Sequence, residues 1–209
     1  MADHTSKSGI TCSAVILAGG LNSRMGGRNK AMLTIGGKRI IDCIVEALDP
    51  LFDEILIVTR LPELYCDTSL HVVEDLLEVR SSLTGIHAGL THARADYIFV
   101  VPCDAPFLQT ALIRVILDEV EPRYDIVIPR CGEFYQPLCA VYSKRCLAFI
   151  EEMLNQGDLK ILNLFDKIKL KEIPMEKLIQ ADPEERSFIN VNTPEIYRLY
   201  KSHGFVKQS

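Results

Sequence analysis

Two segments of this 209-residue chain carry residue types that can hold an anion against a metal ion. The first is LAGGLNSRMGGRNK, Leu17 to Lys30, which follows the apolar run CSAVI. Its glycine pairs, Gly19-Gly20 and Gly26-Gly27, let backbone N–H groups converge into a nest for an anion. Arg24, Arg28 and Lys30 add full charges with no acid among them. Ordering glycines costs conformational entropy, and cations repel one another; a bound polyanion would offset both. The wider region shares this character, because Lys7, Arg24, Arg28, Lys30, Lys38 and Arg39 lie between Asp3 and Asp42 and no acid does. The second segment is YIFVVPCDAPF, in which an apolar strand delivers Asp104 to its carboxyl end and Pro106 restricts the turn beyond it. A carboxylate there offers hard oxygen to a divalent cation such as Mg²⁺.

Each feature has a plainer alternative. The glycine loop is otherwise a solvated surface segment, Asp104 a turn cap, and Asp75 a solvated strand end. Asn192 would organise only the turn before a helix, and Arg28 reads as a solvated cation. Other chemistries lack their signatures. No G-K-[ST] follows the glycines and no G-x-G-x-x-G occurs, which disfavours a P-loop hydrolase or a dinucleotide-dependent oxidoreductase. His4, His71, His87, His92 and His203 make no zinc pattern. Cys103 has no histidine placed beside it in a nucleophile motif and reads as a core thiol. The seven cysteines form no C-x-x-C pair, as reduced intracellular thiols would.

A net charge of −5 argues against wholesale binding of nucleic acid or anionic membrane. The apolar runs are shorter than the ~20 residues a membrane helix needs, and MADHTSKSG is polar with no signal-peptide pattern. The expected location is cytoplasmic.

The elements that must position these residues alternate. Strands are expected at 10–17, 54–59, 70–75, 96–104, 124–129, 137–142, 169–173 and 187–192. Helices are expected at 39–51, 81–93, 109–121, 144–157 and 193–204. Ser81 or Ser82 would cap the second helix, Gly157 would end the fourth, and Thr193-Pro194 would open the last, closed by Gly204. The expected fold is a Rossmann-like three-layer α/β domain, with an open, mostly parallel sheet and helices on both faces. Residues 1–9 are expected to be a polar tail and 10–209 one domain. The stretch from Pro129 to Gln136 breaks the alternation, so the sheet is expected to be mixed there. Four polar segments leave strand ends: 18–30, 74–75, 103–107 and 190–193. Ligands gather beyond the carboxyl ends of strands in such sheets, so the four are expected to meet at one edge.

LAGG-x-x-x-R-M-G-G-x-x-K resembles the signature of nucleotidyltransferases that activate small molecules with a nucleoside triphosphate. With VVEDLL, LTGIHAGL, PCDAPFL, QPLCAVY and NVNTPE coming after it in order, the chain is most similar to the molybdenum cofactor guanylyltransferase family over roughly residues 10–200. The resemblance implies a nucleotide-diphospho-sugar transferase-like fold that moves GMP from GTP to molybdopterin carrying molybdenum and releases pyrophosphate. It implies a nucleotide held by Leu17, Ala18, Gly19 and Gly20, with Asp75 and Gly85 contributing, and Arg24 and Lys30 acting on phosphates. Asp104 would hold Mg²⁺, and Asn190 and Asn192 would lie toward the pterin. The family often has a nucleotide-contacting asparagine after the second strand; Val58 or Thr59 stands there, and Thr59 can hydrogen-bond. Ser82 stands where a proline is common. Transient contacts with proteins that deliver or receive the cofactor are also implied. A cytidylyltransferase for another phosphorylated acceptor, a GTP-binding regulator without turnover and a thiol redox protein remain as alternatives.

Overall fold

The apolar run after residue 11 becomes β1 (Cys12–Leu17), and its place in the sheet accounts for its composition. It pairs in parallel with strands on both sides, and a strand covered on both faces reads as a continuous apolar run. The computed structural model describes residues 10–20, 29–75, 77 and 79–201. After β1 come β2 (Thr34–Ile35), β3 (Lys38–Arg39), α1 (Ile40–Leu48), β4 (Ile55–Thr59), β5 (His71–Glu74), α2 (Ser82–His92) and β6 (Tyr97–Pro102). Next along the chain are α3 (Thr110–Asp118), β7 (Ile126–Cys131), β8 (Phe134–Tyr135), β9 (Ala140–Ser143), α4 (Leu147–Asn155), β10 (Leu170–Pro174), α5 (Met175–Ile179) and α6 (Pro194–Tyr200). Among the described residues no helix is long and apolar enough to cross a membrane.

The main sheet runs β10-β7-β9-β6-β1-β4-β5, with β8 paired to β7. The β6, β1, β4 and β5 strands are mutually parallel. The β9 strand is antiparallel to both β6 and β7, which makes β7 parallel to β6. The carboxyl ends of β1, β4, β5, β6 and β7 therefore share one edge. The antiparallel β7–β8 pair falls where the sequence breaks its alternation.

Successive strand residues face opposite sides, and the core divides accordingly. Ala14, Ile16, Phe99 and Val101 pack with Ile40 and Ile44 of α1 and Leu112 and Ile113 of α3. Val15, Leu56, Ile98 and Val100 pack with Leu83, Ile86 and Leu90 of α2 and Ile150 and Met153 of α4. The α2 helix lies close to the sheet: a Cβ added at Gly89 would meet Val15 Cγ1 at 2.8 Å. Ser81 caps this helix, its Oγ accepting from Thr84 N at 3.1 Å. Thr193 and Pro194 open α6 as expected; α4 ends at Asn155 with Gln156 as its C-cap, and Gly157 (φ 74°) follows that cap. Gly204 lies outside the described residues.

One expected strand is absent. Residues 187–192 are not β: a 3₁₀ turn spans Arg186–Phe188 and leads into an irregular segment. The cause is Asp182, which is buried. Its carboxylate accepts from Arg186 N at 3.1 Å and Ser187 N at 2.8 Å, taking donors that a ladder would need. The charged run DPEERS, 182–187, is thus a folded turn. The β2–β3 hairpin is an addition; its turn residues Gly36 (φ 58°) and Gly37 (φ 84°) adopt the left-handed conformations such a tight turn needs.

Candidate active site

The four polar segments do meet. A cleft of about 390 Å³ opens at the carboxyl edge, and Gly19, Gly20, Lys30, Asp75, Cys103, Asp104 and Asn192 all line it. That volume lies within the usual range for small-molecule sites. The end of β1 forms the centre of the floor. Ala18 N donates to Val58 O at 2.7 Å and Cys103 N to Leu17 O at 3.0 Å, so the chain turns out of the sheet with its neighbours still tied to it. Leu17, Gly19 and Gly20 line the cleft, while Ala18 is buried. Among the described residues, no atom lies within 4 Å of a Cβ built at Gly20.

Lys30 starts a short 3₁₀ turn, Lys30–Met32, capped by Asn29, whose Oδ1 accepts from Ala31 N at 3.0 Å. From this turn Lys30 Nζ reaches Asp104 Oδ2 at 2.9 Å, and the two side chains are 17% and 15% exposed. The contact joins residues 74 apart in sequence. Asp104 also anchors the last loop, because its carbonyl accepts from Val191 N at 2.7 Å. This bond brings Asn192 to the cleft; Asn190 is exposed and does not line it. With no strand there, the two asparagines do not present one face.

Asp75 is buried rather than solvated. Its Oδ2 accepts from the Thr84 hydroxyl at 3.0 Å and its Oδ1 from Leu77 N at 3.3 Å, linking the end of β5 to the start of α2. Gly85, one turn into α2, lines the cleft, and a Cβ there would approach Leu17 Cδ2 to 3.0 Å. At the end of β4, Val58 faces the cleft. Thr59 is fully buried, its hydroxyl donating to Ala18 O at 3.4 Å and accepting from Leu61 N at 3.1 Å. Thr59 therefore supports the turn after β1 from below and is not part of the cleft lining. Arg24, with Gly26-Gly27, Arg28 and Lys7, lies outside the described residues.

Five further lining residues were not read as site residues from the sequence: Arg80, Ser81, Ser82, Pro102 and Leu138. Arg80 and the two serines stand at the start of α2, where unpaired N–H groups and the helix dipole favour anions. A cation directly before a helix cap was the available signal. Leu138 carries none.

The remaining chemistry is quiet. Burial pushes the Cys103 thiol up to about 12, and the Asp104 carboxylate adds to the shift, so it is no thiolate at neutral pH. All seven cysteines are free. His87 approaches Glu151 at 3.4 Å and His92 packs on its own helix, bonded to Ala88 O. Among the described residues no three His, Cys, Asp or Glu side chains cluster as a metal cage.

Residues 14–173 match the family model for the MobA-like NTP transferase domain. A molybdenum cofactor guanylyltransferase of Desulfosudis oleivorans is 39% identical over 195 residues, covering 93% of this chain and 96% of that protein. A probable molybdenum cofactor guanylyltransferase of Natranaerobius thermophilus is 39% identical over 188 residues, 88% of this chain and 91% of that one. Among solved structures, molybdopterin-guanine dinucleotide biosynthesis protein A from Archaeoglobus fulgidus superposes with a TM-score of 0.77 at 27% identity, over 90% of this chain and 96% of that chain.

Proposed function

The chain belongs to the MobA-like NTP transferase family, and on that premise we propose that it transfers GMP from GTP to molybdopterin carrying molybdenum. The acceptor's terminal phosphate oxygen forms a bond to the α-phosphorus of GTP. The bond from that phosphorus to the bridging oxygen of the β-phosphate breaks, and pyrophosphate leaves. Both reactants are anions, so charge repulsion is a large part of the barrier, and no covalent protein intermediate is needed. What the protein must supply is alignment and positive charge.

The observation that carries this reading is the Lys30–Asp104 pair at 2.9 Å in the floor of the cleft, between Gly19-Gly20 and Asn192. In the proposed complex the backbone of Leu17, Ala18, Gly19 and Gly20 holds the donor's phosphates, and Arg24 is assigned to the same phosphates by its charge. Lys30 turns from Asp104 to phosphate oxygen. Thr59 keeps Ala18 in place, while Asp75 and Gly85 set the start of α2 against the nucleotide. Asn190 and Asn192 belong to the acceptor side. The donor set fits Mg²⁺: this ion binds through one or two carboxylates and completes its shell with phosphates and water, and Asp104 presents one carboxylate at a cleft where the described residues form no cage of three. Asp104 would hold it, and the ion would supply charge neutralisation at the transferring phosphate.

The donor is tested by melting the protein with Mg²⁺ and each nucleoside triphosphate in turn. GTP is expected to raise the melting temperature most, since a ligand that binds only the folded state stabilises it in proportion to RT ln(1 + [L]/Kd). A larger rise with CTP would replace the guanylyl assignment by a cytidylyl one.

A further inference from the structure

Phe134 is 74% exposed, although it sits in a strand paired within the main sheet. The register shows how near it stands. Val141 of β9 pairs with Phe99 of β6 on one side and with Val127 of β7 on the other, so Phe99 and Val127 are level. Four residues further along the parallel strands β6 and β7, Cys103 and Cys131 are level. Cys131 is the cross-strand partner of Phe134. The β8 strand lies on the same side of β7 as β9, because β10 occupies the opposite edge of β7 as far as Arg130. Phe134 is therefore level along the sheet with the residue before Asp104, on the β6-facing side of β7.

The exposure is not that of a loose tip. Behind it Tyr135 donates to Glu172 at 2.5 Å and packs edge-on against Phe165, 5.2 Å between ring centres. Arg130 donates to the same carboxylate at 2.7 Å. Tyr135 and Arg130 share one face of the hairpin, whereas Phe134 shares the other with Cys131, which touches Met175 at 3.4 Å. Met175 packs in the cluster that contains Val191, the residue bonded to the Asp104 carbonyl. A braced hairpin thus holds an aromatic ring in water, level along the sheet with the strand end that carries the candidate metal carboxylate. Uncovered apolar area forgoes the free energy of burial. The donor does not account for it, since Gly19, Gly20, Val58, Asp75 and Gly85 come from the other flank of Asp104.

We infer that Phe134 is the platform on which the flat heterocycle of the phosphorylated acceptor stacks, with the acceptor's phosphate directed toward Asp104. The inference rests on the transfer proposed above and assigns the acceptor to the β8 flank of the cleft. Stacking on an aromatic side chain changes affinity by about five- to a hundredfold on truncation. Phe134→Ala is expected to raise KM for molybdenum-loaded molybdopterin about tenfold, leaving kcat and the KM for GTP near wild type. Phe134→Tyr should restore the acceptor KM. The chain has no tryptophan, so Phe134→Trp supplies a reporter; its emission should change on adding molybdenum-loaded molybdopterin and not on adding GTP with Mg²⁺. An unchanged acceptor KM in Phe134→Ala, beside an active wild type, overturns the inference alone, as does emission that responds only to GTP. A wild type that forms no dinucleotide overturns the transfer reading, and this inference with it.

Discussion

Asp104→Ala is expected to lower turnover by about a hundred- to a thousandfold, the loss seen when one electrostatic stabiliser of a developing charge is removed. The variant should nevertheless fold. The bond that anchors the last loop uses the Asp104 carbonyl, not its carboxylate, and alanine keeps it. Lys30 loses this one contact, and its side chain is 17% exposed with a long stem that can carry the ammonium to water. Circular dichroism and melting should therefore stay close to wild type while steady-state pyrophosphate release collapses. Wild-type turnover in a folded variant would remove Asp104 from the chemistry.

The second large effect belongs to Lys30. Lys30→Ala removes a charge-assisted contact to phosphate, a class worth about 1.5–3 kcal/mol, or roughly ten- to a hundredfold in GTP affinity. It also leaves the Asp104 carboxylate without its cation, facing an incoming triphosphate, so repulsion adds to the loss. The difference between wild type and variant should shrink as salt rises, because the screening length falls from about 10 Å at 0.1 M to about 3 Å at 1 M. Isothermal titration at two salt concentrations measures it; a difference independent of salt would place Lys30 away from the phosphates.

Much of the cleft was readable because its parts hang on strong local signals. The runs that became β1, β4 and β6 are apolar enough to be buried on both faces, and parallel strands deliver their carboxyl-terminal loops to one edge. Gly19, Lys30, Asp75 and Asp104 could thus be brought together by pattern alone, whereas Asn192 reaches the cleft through the Val191–Asp104 bond and not from a strand end. The residues that escaped depend on tertiary detail. Val58 and Thr59 are adjacent, and which one faces the cleft is a question of strand phase that the pattern ILIVT, apolar almost throughout, does not answer. Asn190 and Asn192 alternate as in a strand, yet Asp182 captures the backbone donors upstream and turns the chain instead. Leu138 enters the cleft from the irregular stretch between β8 and β9. The β2–β3 hairpin was within reach, since TIGGKR places a glycine pair between two short strand-like pairs.

The central claim is transfer of GMP to the acceptor, and isotope position tests it directly. GTP labelled at the α-phosphate is incubated with the protein, Mg²⁺ and molybdenum-loaded molybdopterin, and the products are separated. The label is expected in a guanine dinucleotide of the acceptor, with unlabelled pyrophosphate released in equal amount. Label remaining in GDP with release of inorganic phosphate would show hydrolysis in place of transfer and contradict it.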